Sequence, residues 1–210
     1  MIFLISDTHF KHDAIGRYCH RVEGWNELII KMWNKWVKPT DAVVHLGDFG
    51  FGPSKVMAKI RQKLAGRLIM VKGNHDKSVG WLRKLGAAEV LASHGDDVFI
   101  DDHEFPAKII CATKPSLPTN AKEKDIIVSH APLPNIRWPY FYGHIHNNPL
   151  AWDENYMPYP LGEITGRNMC VEVTNYQPCP LPPLLNDVKW IKEDWSRYLR
   201  EFFGIGGGAH

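Results

Sequence analysis

The sequence has no long hydrophobic run, no dense block of one charge and little cysteine. Its opening apolar stretch, Met1 to Ile5, meets Asp7 almost at once. A membrane span takes about 20 apolar residues, and the basic flank of a secretion signal is missing. A soluble, cytoplasmic protein with no membrane partner is expected. Lys and Arg number 25 against 23 Asp and Glu, a formal net charge of +2. That balance gives no reason to expect strong non-specific nucleic-acid binding, though a local basic patch stays open. Cys19, Cys111, Cys170 and Cys179 form no CxxC pair, so free thiols are expected rather than disulfides or a thiolate cluster. Neither an internal repeat nor a break in composition divides the 210 residues. One domain over residues 1–203 with a tail over 204–210 is the expected organisation.

What is there begins with buried strands and amphipathic helices. Met1 to Ile5, Ala42 to Leu46 and Leu68 to Val71 are apolar and end in polar residues, as strands of a covered parallel sheet do. Between them, Trp25, Ile29, Trp33 and Val37 recur at helical spacing, and so do Val56, Ile60 and Leu64. A short helix over Val79 to Leu85 follows. The first half therefore reads as a strand–helix alternation around a parallel sheet, an α/β fold. The second half reads as strands at Val98–Ile100, Lys108–Ala112, Ile126–Ser129, Tyr140–Gly143 and Met169–Val173. Their connections look too short for helices, which predicts antiparallel pairing. Residues 147–167 read as a loop. Val188, Ile191, Trp195, Leu199 and Phe202 predict an amphipathic helix over about 187–202.

The chemistry lies where the strands stop. Asp7-x-His9 ends the first, Gly47-Asp48 the second and Gly73-Asn74-His75-Asp76 the third; Ser129-His130 and Gly143-His144-x-His146 follow later. Carboxyl ends of parallel strands share one edge, where ligands bind. Extended backbone would put Asp7 and His9 on one face, and His144 and His146 likewise. Asp7, His9, Asp48, Asn74, His130, His144 and His146 then supply seven ligands. These are too many for one tetrahedral ion and enough for two ions sharing a carboxylate, with Asp48 the natural bridge. Imidazole and oxygen donors without thiolate suit Mn, Fe, Ni, Co or Zn. Each motif alone has a plainer reading: Asp, Asn and Gly form turns, and a single His is more often structural. Their ordered set at five strand ends makes those readings improbable together. His12, Arg17, His20 and Arg21 follow the first motif; lining the pocket and touching phosphate is one reading of them, and a solvated helix or loop face is the foremost one. His45 reads as structural and Cys170 as a small core hydrophobe. Arg137 and Trp138 read equally as leaving-group contacts or packing.

This ordered set resembles the calcineurin-like metallophosphoesterase superfamily, and the Ile5 to His12 and Leu46 to Phe49 contexts look most like its small phage-type bacterial branch. The resemblance covers residues 1 to about 175. It implies a four-layer αββα sandwich, with two mixed sheets packed face to face and helices flanking them. It implies two divalent metal ions, Mn foremost. One would be held by Asp7, His9, Asp48 and His146, the other by Asp48, Asn74, His130 and His144. It implies that His75 acts as general acid or stabilises charge, and that Asp76 orients His75. The expected activity is hydrolysis of phosphodiesters, and also of monoesters, by attack of a metal-bridging hydroxide. The expected partner is a small phosphate ester, nucleotides included, with no obligate nucleic-acid partner. A nuclease and a non-catalytic scaffold on the same fold are the alternatives.

Overall fold

The computed structural model describes residues 1–103, 105–137, 139–147 and 166–186. The expected helix over 187–202, the tail, Trp138 and most of the 147–167 loop lie outside the described residues.

Among the described residues, two five-stranded sheets make the framework. In the first, β1 (Ile2–Ile5), β2 (Ala42–His45), β3 (Arg67–Val71) and β4 (Glu89–Leu91) run parallel. Four helices lie along the chain between them: α1 (Asp13–Tyr18), α2 (Trp25–Trp36), α3 (Ser54–Arg61) and α4 (Val79–Leu85). In the register, Ile5 lies beside His45 and His45 beside Met70. The polar residues that follow β1, β2 and β3 therefore emerge at one edge.

The second sheet is ordered β5 (Asp97–Ile100), β6 (Ala107–Cys111), β7 (Ile126–Val128), β8 (Tyr140–Tyr142) and β9 (Arg167–Asn168). The expected antiparallel pairing holds only for β5 with β6. The pairs β6–β7, β7–β8 and β8–β9 are parallel. A parallel crossover needs roughly a dozen residues and usually uses a helix. Here residues 112–125 and the described residues between β7 and β8 make the crossing as irregular loop, which is why helix periodicity gave no sign of it. The expected strand over Met169–Val173 is also different. After β9, Cys170 makes a single bridge to Ser6, and residues 171–176 coil into turns. The Val173 and Thr174 amides both donate to the Cys170 carbonyl, at 3.0 and 3.1 Å. Last come β10 (Cys179–Pro180), antiparallel to β1, and α5 (Leu181–Asn186).

Side-chain alternation along the strands divides the core. Ile2, Leu4, Val44 and Ile69 pack against Ile109, Ile126, Val128 and Phe141 between the sheets. Phe3, Ile5, Val43 and Met70 point the other way, onto Ile29 and Trp33 of α2, Met57 of α3 and Leu82 of α4. Burying each such side chain contributes roughly 1.5–3 kcal/mol. Trp33 is fully buried, and its indole N–H donates to the Ala65 carbonyl at 2.9 Å. On the outer face of the second sheet, Ile110, Ile127 and Tyr140 pack with Leu133, Ile136 and Ile145 of the loops. All four cysteines are free and buried.

Candidate metal centre

All five strand-end motifs reach the same edge. Parallel β6, β7 and β8 aim their carboxyl ends as β1–β3 do, and the sheets are stitched together there. The Ser6 amide donates to the Met169 carbonyl at 2.8 Å, and the Val171 amide donates to the Ser6 carbonyl at 3.1 Å. The His144 amide donates to Asp7 Oδ2 at 2.8 Å. Glycine is required at these crossings. A Cβ on Gly143 would overlap Ser6 Oγ and Asp7 Oδ2, and one on Gly73 would overlap Asp48 Oδ1.

The seven expected ligand residues form two adjoining groups around Asp48. Donor atoms of Asp7, His9 and Asp48 lie within 4.8 Å of one another, and so do those of Asp48, His130 and His144. His9 Nε2 is 3.6 Å from Asp7 Oδ1 and 3.6 Å from Asp48 Oδ2. His146 Nε2 is 3.6 Å from Asp7 Oδ1. On the other side, His130 Nε2 is 3.4 Å from Asp48 Oδ2 and 2.6 Å from Asn74 Oδ1. His144 Nδ1 is 3.1 Å from Asn74 Oδ1.

The backbone that does this is not the extended strand anticipated. Asp7, His9, Asp48, His144 and His146 all have positive φ, at 57°, 45°, 57°, 73° and 49°. Such conformations cost about 1–3 kcal/mol each and persist where the surroundings over-determine them. Here the Asp7 and His9 amides are pinned to the Gly47 and Asp48 carbonyls, each at 3.0 Å. The left-handed turns also separate the two histidines of the last motif: His144 joins Asn74 and His130, while His146 joins Asp7.

The donor set fits a cation. Asp7 Oδ1 and His9 Nε2 are buried with no hydrogen-bond partner. Orphaned buried acceptors are costly, and a cation between them would satisfy both. Burial resists ionisation of Asp7, but His9, His130 and His146 outweigh it and hold its carboxyl well below the usual range. Burial likewise resists ionisation of Asp48, and His130 overcomes it.

Outer partners fix the imidazoles, as they do in metal sites generally. The Leu46 carbonyl accepts from His130 Nδ1–H at 2.9 Å, which turns Nε2 towards Asn74 and Asp48. Glu172 Oε1 lies 3.0 Å from His146 Nδ1. Burial opposes a proton on His146, but Cys19, Glu172 and Asp7 together push its pKa up to about 11. Glu172 is held in turn by Arg21, whose Nε donates to Oε1 at 2.7 Å. The same guanidinium donates to the Thr8 carbonyl at 2.8 Å and the Asp7 carbonyl at 2.6 Å. Arg21 is thus buried at the hub of the site, not on the solvated face expected for it. Glu172 lies in a segment that reads as core strand, and no motif marked it. Cys170 Sγ donates to Asp7 Oδ2 at 3.3 Å, so it braces the site from below rather than merely filling the core.

His75 stands at the mouth. It is exposed, its ring 5.4 Å from that of His9, and its amide donates to Asp48 Oδ1 at 2.9 Å. Asp76 does something other than the expected orientation of His75. Its carboxylate accepts the amides of Asp48 and Gly73, both at 2.9 Å, and of Phe49 at 3.1 Å. It ties the β2 and β3 loops together and sets the position of Asp48. Burial and nearby Asp48 raise its pKa, against those three amides. His45 is structural as expected: the Gly47 amide donates to its Nδ1 at 3.2 Å, and Nε2 lies 2.9 Å from Thr8 Oγ1. Arg137 clamps the Glu123 and Asp125 carbonyls at 2.9 and 3.4 Å.

Fold and cluster define an α/β sandwich with a candidate metal centre at its strand ends. The model of the calcineurin-like phosphoesterase superfamily domain matches residues 1–174. The chain belongs to that superfamily. A curated relative, the uncharacterized protein MJ1445 of Methanocaldococcus jannaschii, is 42% identical over 82 residues, which are 36% of this chain and 47% of the relative. The match thus spans about half the length of that relative. Among solved structures, the protein of unknown function AQ665 from Aquifex aeolicus aligns with a TM-score of 0.52 at 23% identity, covering 85% of this chain and 94% of that one. It shares the fold. An archaeal phosphodiesterase aligns with a TM-score of 0.39 at 18% identity, over 80% of this chain and 81% of that one. At that score the likeness carries no weight. Among the described residues, no helix is long and apolar enough to cross a membrane.

Proposed function

We propose that this protein hydrolyses phosphate esters, diesters ahead of monoesters, at a centre of two divalent metal ions with Mn foremost. The observation that carries the reading is the pair of donor groups meeting at Asp48, with Asp7 Oδ1 and His9 Nε2 left without partners inside them. Asp7, His9, Asp48 and His146 would hold one ion, and Asp48, Asn74, His130 and His144 the other. Bound there, the pair would supply Lewis-acid activation of a water and neutralise charge on the phosphoryl oxygens.

The chain's own residues do the rest. Glu172 and Leu46 present His146 and His130 with Nε2 facing inward. Asp76 and Arg21 hold the two loops that carry Asp48 and Asp7. His75 stands where it can give a proton to the leaving oxygen, a role worth typically 10²–10⁴-fold. Beside Asn74 and His130, a cavity of about 430 Å³ runs between Lys72, Thr113 and Leu133. It offers room for a second ester substituent, which favours diesters.

The test is hydrolysis of bis-p-nitrophenyl phosphate and of p-nitrophenyl phosphate, with Mn added and after chelation. Metal-dependent cleavage, faster for the diester, is expected. Cleavage of neither ester with any divalent metal overturns the reading and favours a non-catalytic role.

A further inference from the structure

The rim of the site on the His75 side is built of rings. Phe51 stacks on His12, with centroids 4.4 Å apart and planes 13° from parallel. The His75 ring lies 6.1 Å from Phe51 and 6.0 Å from His12. His12 is in turn 5.3 Å from His9. Phe51 is nevertheless 47% exposed.

Single exposed apolar side chains are ordinary on protein surfaces. Phe51 differs in being fixed beside the reacting groups. Its amide donates to the Phe10 carbonyl at 2.8 Å, and Gly50 before it pairs with Phe10 in a β-bridge. A Cβ at Gly50 would press on Met57 Sδ and the Phe10 carbonyl, so the chain crosses here at close quarters. The backbone is pinned and the ring rests on His12, while nearly half of the residue stays open to solvent beside His75. Aromatic pairs favour such offset contacts. An ordered, open aromatic ring accepts a planar π-system irrespective of its hydrogen-bonding edge.

We infer that Phe51, backed by His12, is a stacking platform for a planar ring carried by the substrate, so that the natural substrates are nucleotide-type phosphate esters rather than alkyl or sugar phosphates. The inference rests on the proposed phosphoesterase reading. His75 serves the leaving oxygen, so the stacked base belongs to the nucleoside on the leaving side. Stacking asks only for a π-face, so the platform selects nucleobases as a class and not one base.

Adenosine monophosphate and methyl phosphate are the probes, used as inhibitors of bis-p-nitrophenyl phosphate hydrolysis by the Mn-loaded protein. Adenosine monophosphate should inhibit more tightly. The ratio of the two inhibition constants should fall roughly tenfold in Phe51→Ala and recover in Phe51→Trp, the range that one stacked base gives. Saturation-transfer NMR supplies a readout without turnover: adenine protons should receive magnetisation from the wild type and lose it in Phe51→Ala. Phe51→Leu, apolar but not aromatic, should behave as the alanine variant does. An inhibition ratio unchanged by Phe51→Ala overturns the platform while leaving the phosphoesterase reading intact. Absent hydrolysis with retained, Phe51-dependent transfer to adenine would overturn the hydrolase and keep the platform.

Discussion

Replacing Glu172 by glutamine keeps the side chain's size and removes its charge. In the wild type, Oε1 lies 3.0 Å from His146 Nδ1 and accepts from Arg21 Nε at 2.7 Å. The carboxylate therefore orients the imidazole, raises its basicity and balances a buried cation at once. Loss of such an outer partner typically lowers metal affinity 10–100-fold, about 1.4–2.7 kcal/mol. The effect should fall on the ion held by Asp7, His9 and His146 and spare the one held by His130 and His144. Calorimetric titration of the stripped protein with Mn reads both. The expected result is one binding step weakened and the other unchanged. The melting temperature of the metal-free variant separates this from general loosening. Glu172→Ala is the harsher control: both variants leave the Arg21 charge without its carboxylate, but alanine also removes the oxygen that accepts from Arg21 Nε, and breaking a buried pair outright costs about 3–5 kcal/mol. Two steps of wild-type affinity in Glu172→Gln would refute the positioning argument.

Four further outcomes follow from the geometry. Asp48→Ala should lose both ions and activity together, whereas His75→Ala should keep its metal and lose roughly 10²–10⁴-fold in turnover; metal analysis beside bis-p-nitrophenyl phosphate kinetics distinguishes them, and wild-type turnover in His75→Ala removes its assigned role. Gly143→Ala should displace Asp7, weakening metal binding and costing about 1–3 kcal/mol of stability by overpacking, measured by denaturant melts. Fully buried His45 has its pKa pushed down to about 3 by burial. The unfolded chain takes up that proton near pH 6.5 and the folded chain does not, so stability should fall as pH drops from 6.5 towards 3. The loss is about 3 kcal/mol by pH 4. His45→Gln should flatten that part of the metal-free pH–stability curve, and an unchanged slope would contradict the assignment.

The first half of the fold is legible because periodicity reports burial. Strands β1–β3 and helices α2–α4 fall where apolar spacing puts them, within a residue or two at most ends. The strand-end motifs were legible too, since Asp, His and Asn interrupt apolar runs that otherwise tolerate none. What the pattern hid was direction and backbone. Irregular crossovers between β6, β7 and β8 carry no helical period, so parallel pairing looked antiparallel. Left-handed turns at Asp7, His9, His144 and His146 leave no trace in side-chain spacing, although Asp and His are among the residues that tolerate them. Arg21 and Glu172 were missed because their partnership spans 151 residues of sequence. The one available clue was an acidic residue within the apolar run from Met169 to Val173, a position that needs a buried partner.

The central claim is a two-ion centre whose occupancy governs phosphate-ester hydrolysis. Its most direct test titrates Mn into the stripped protein while bis-p-nitrophenyl phosphate hydrolysis is followed. Activity should rise with added metal and level off at two equivalents per chain. A plateau at one equivalent, or no hydrolysis at any metal level, would contradict it.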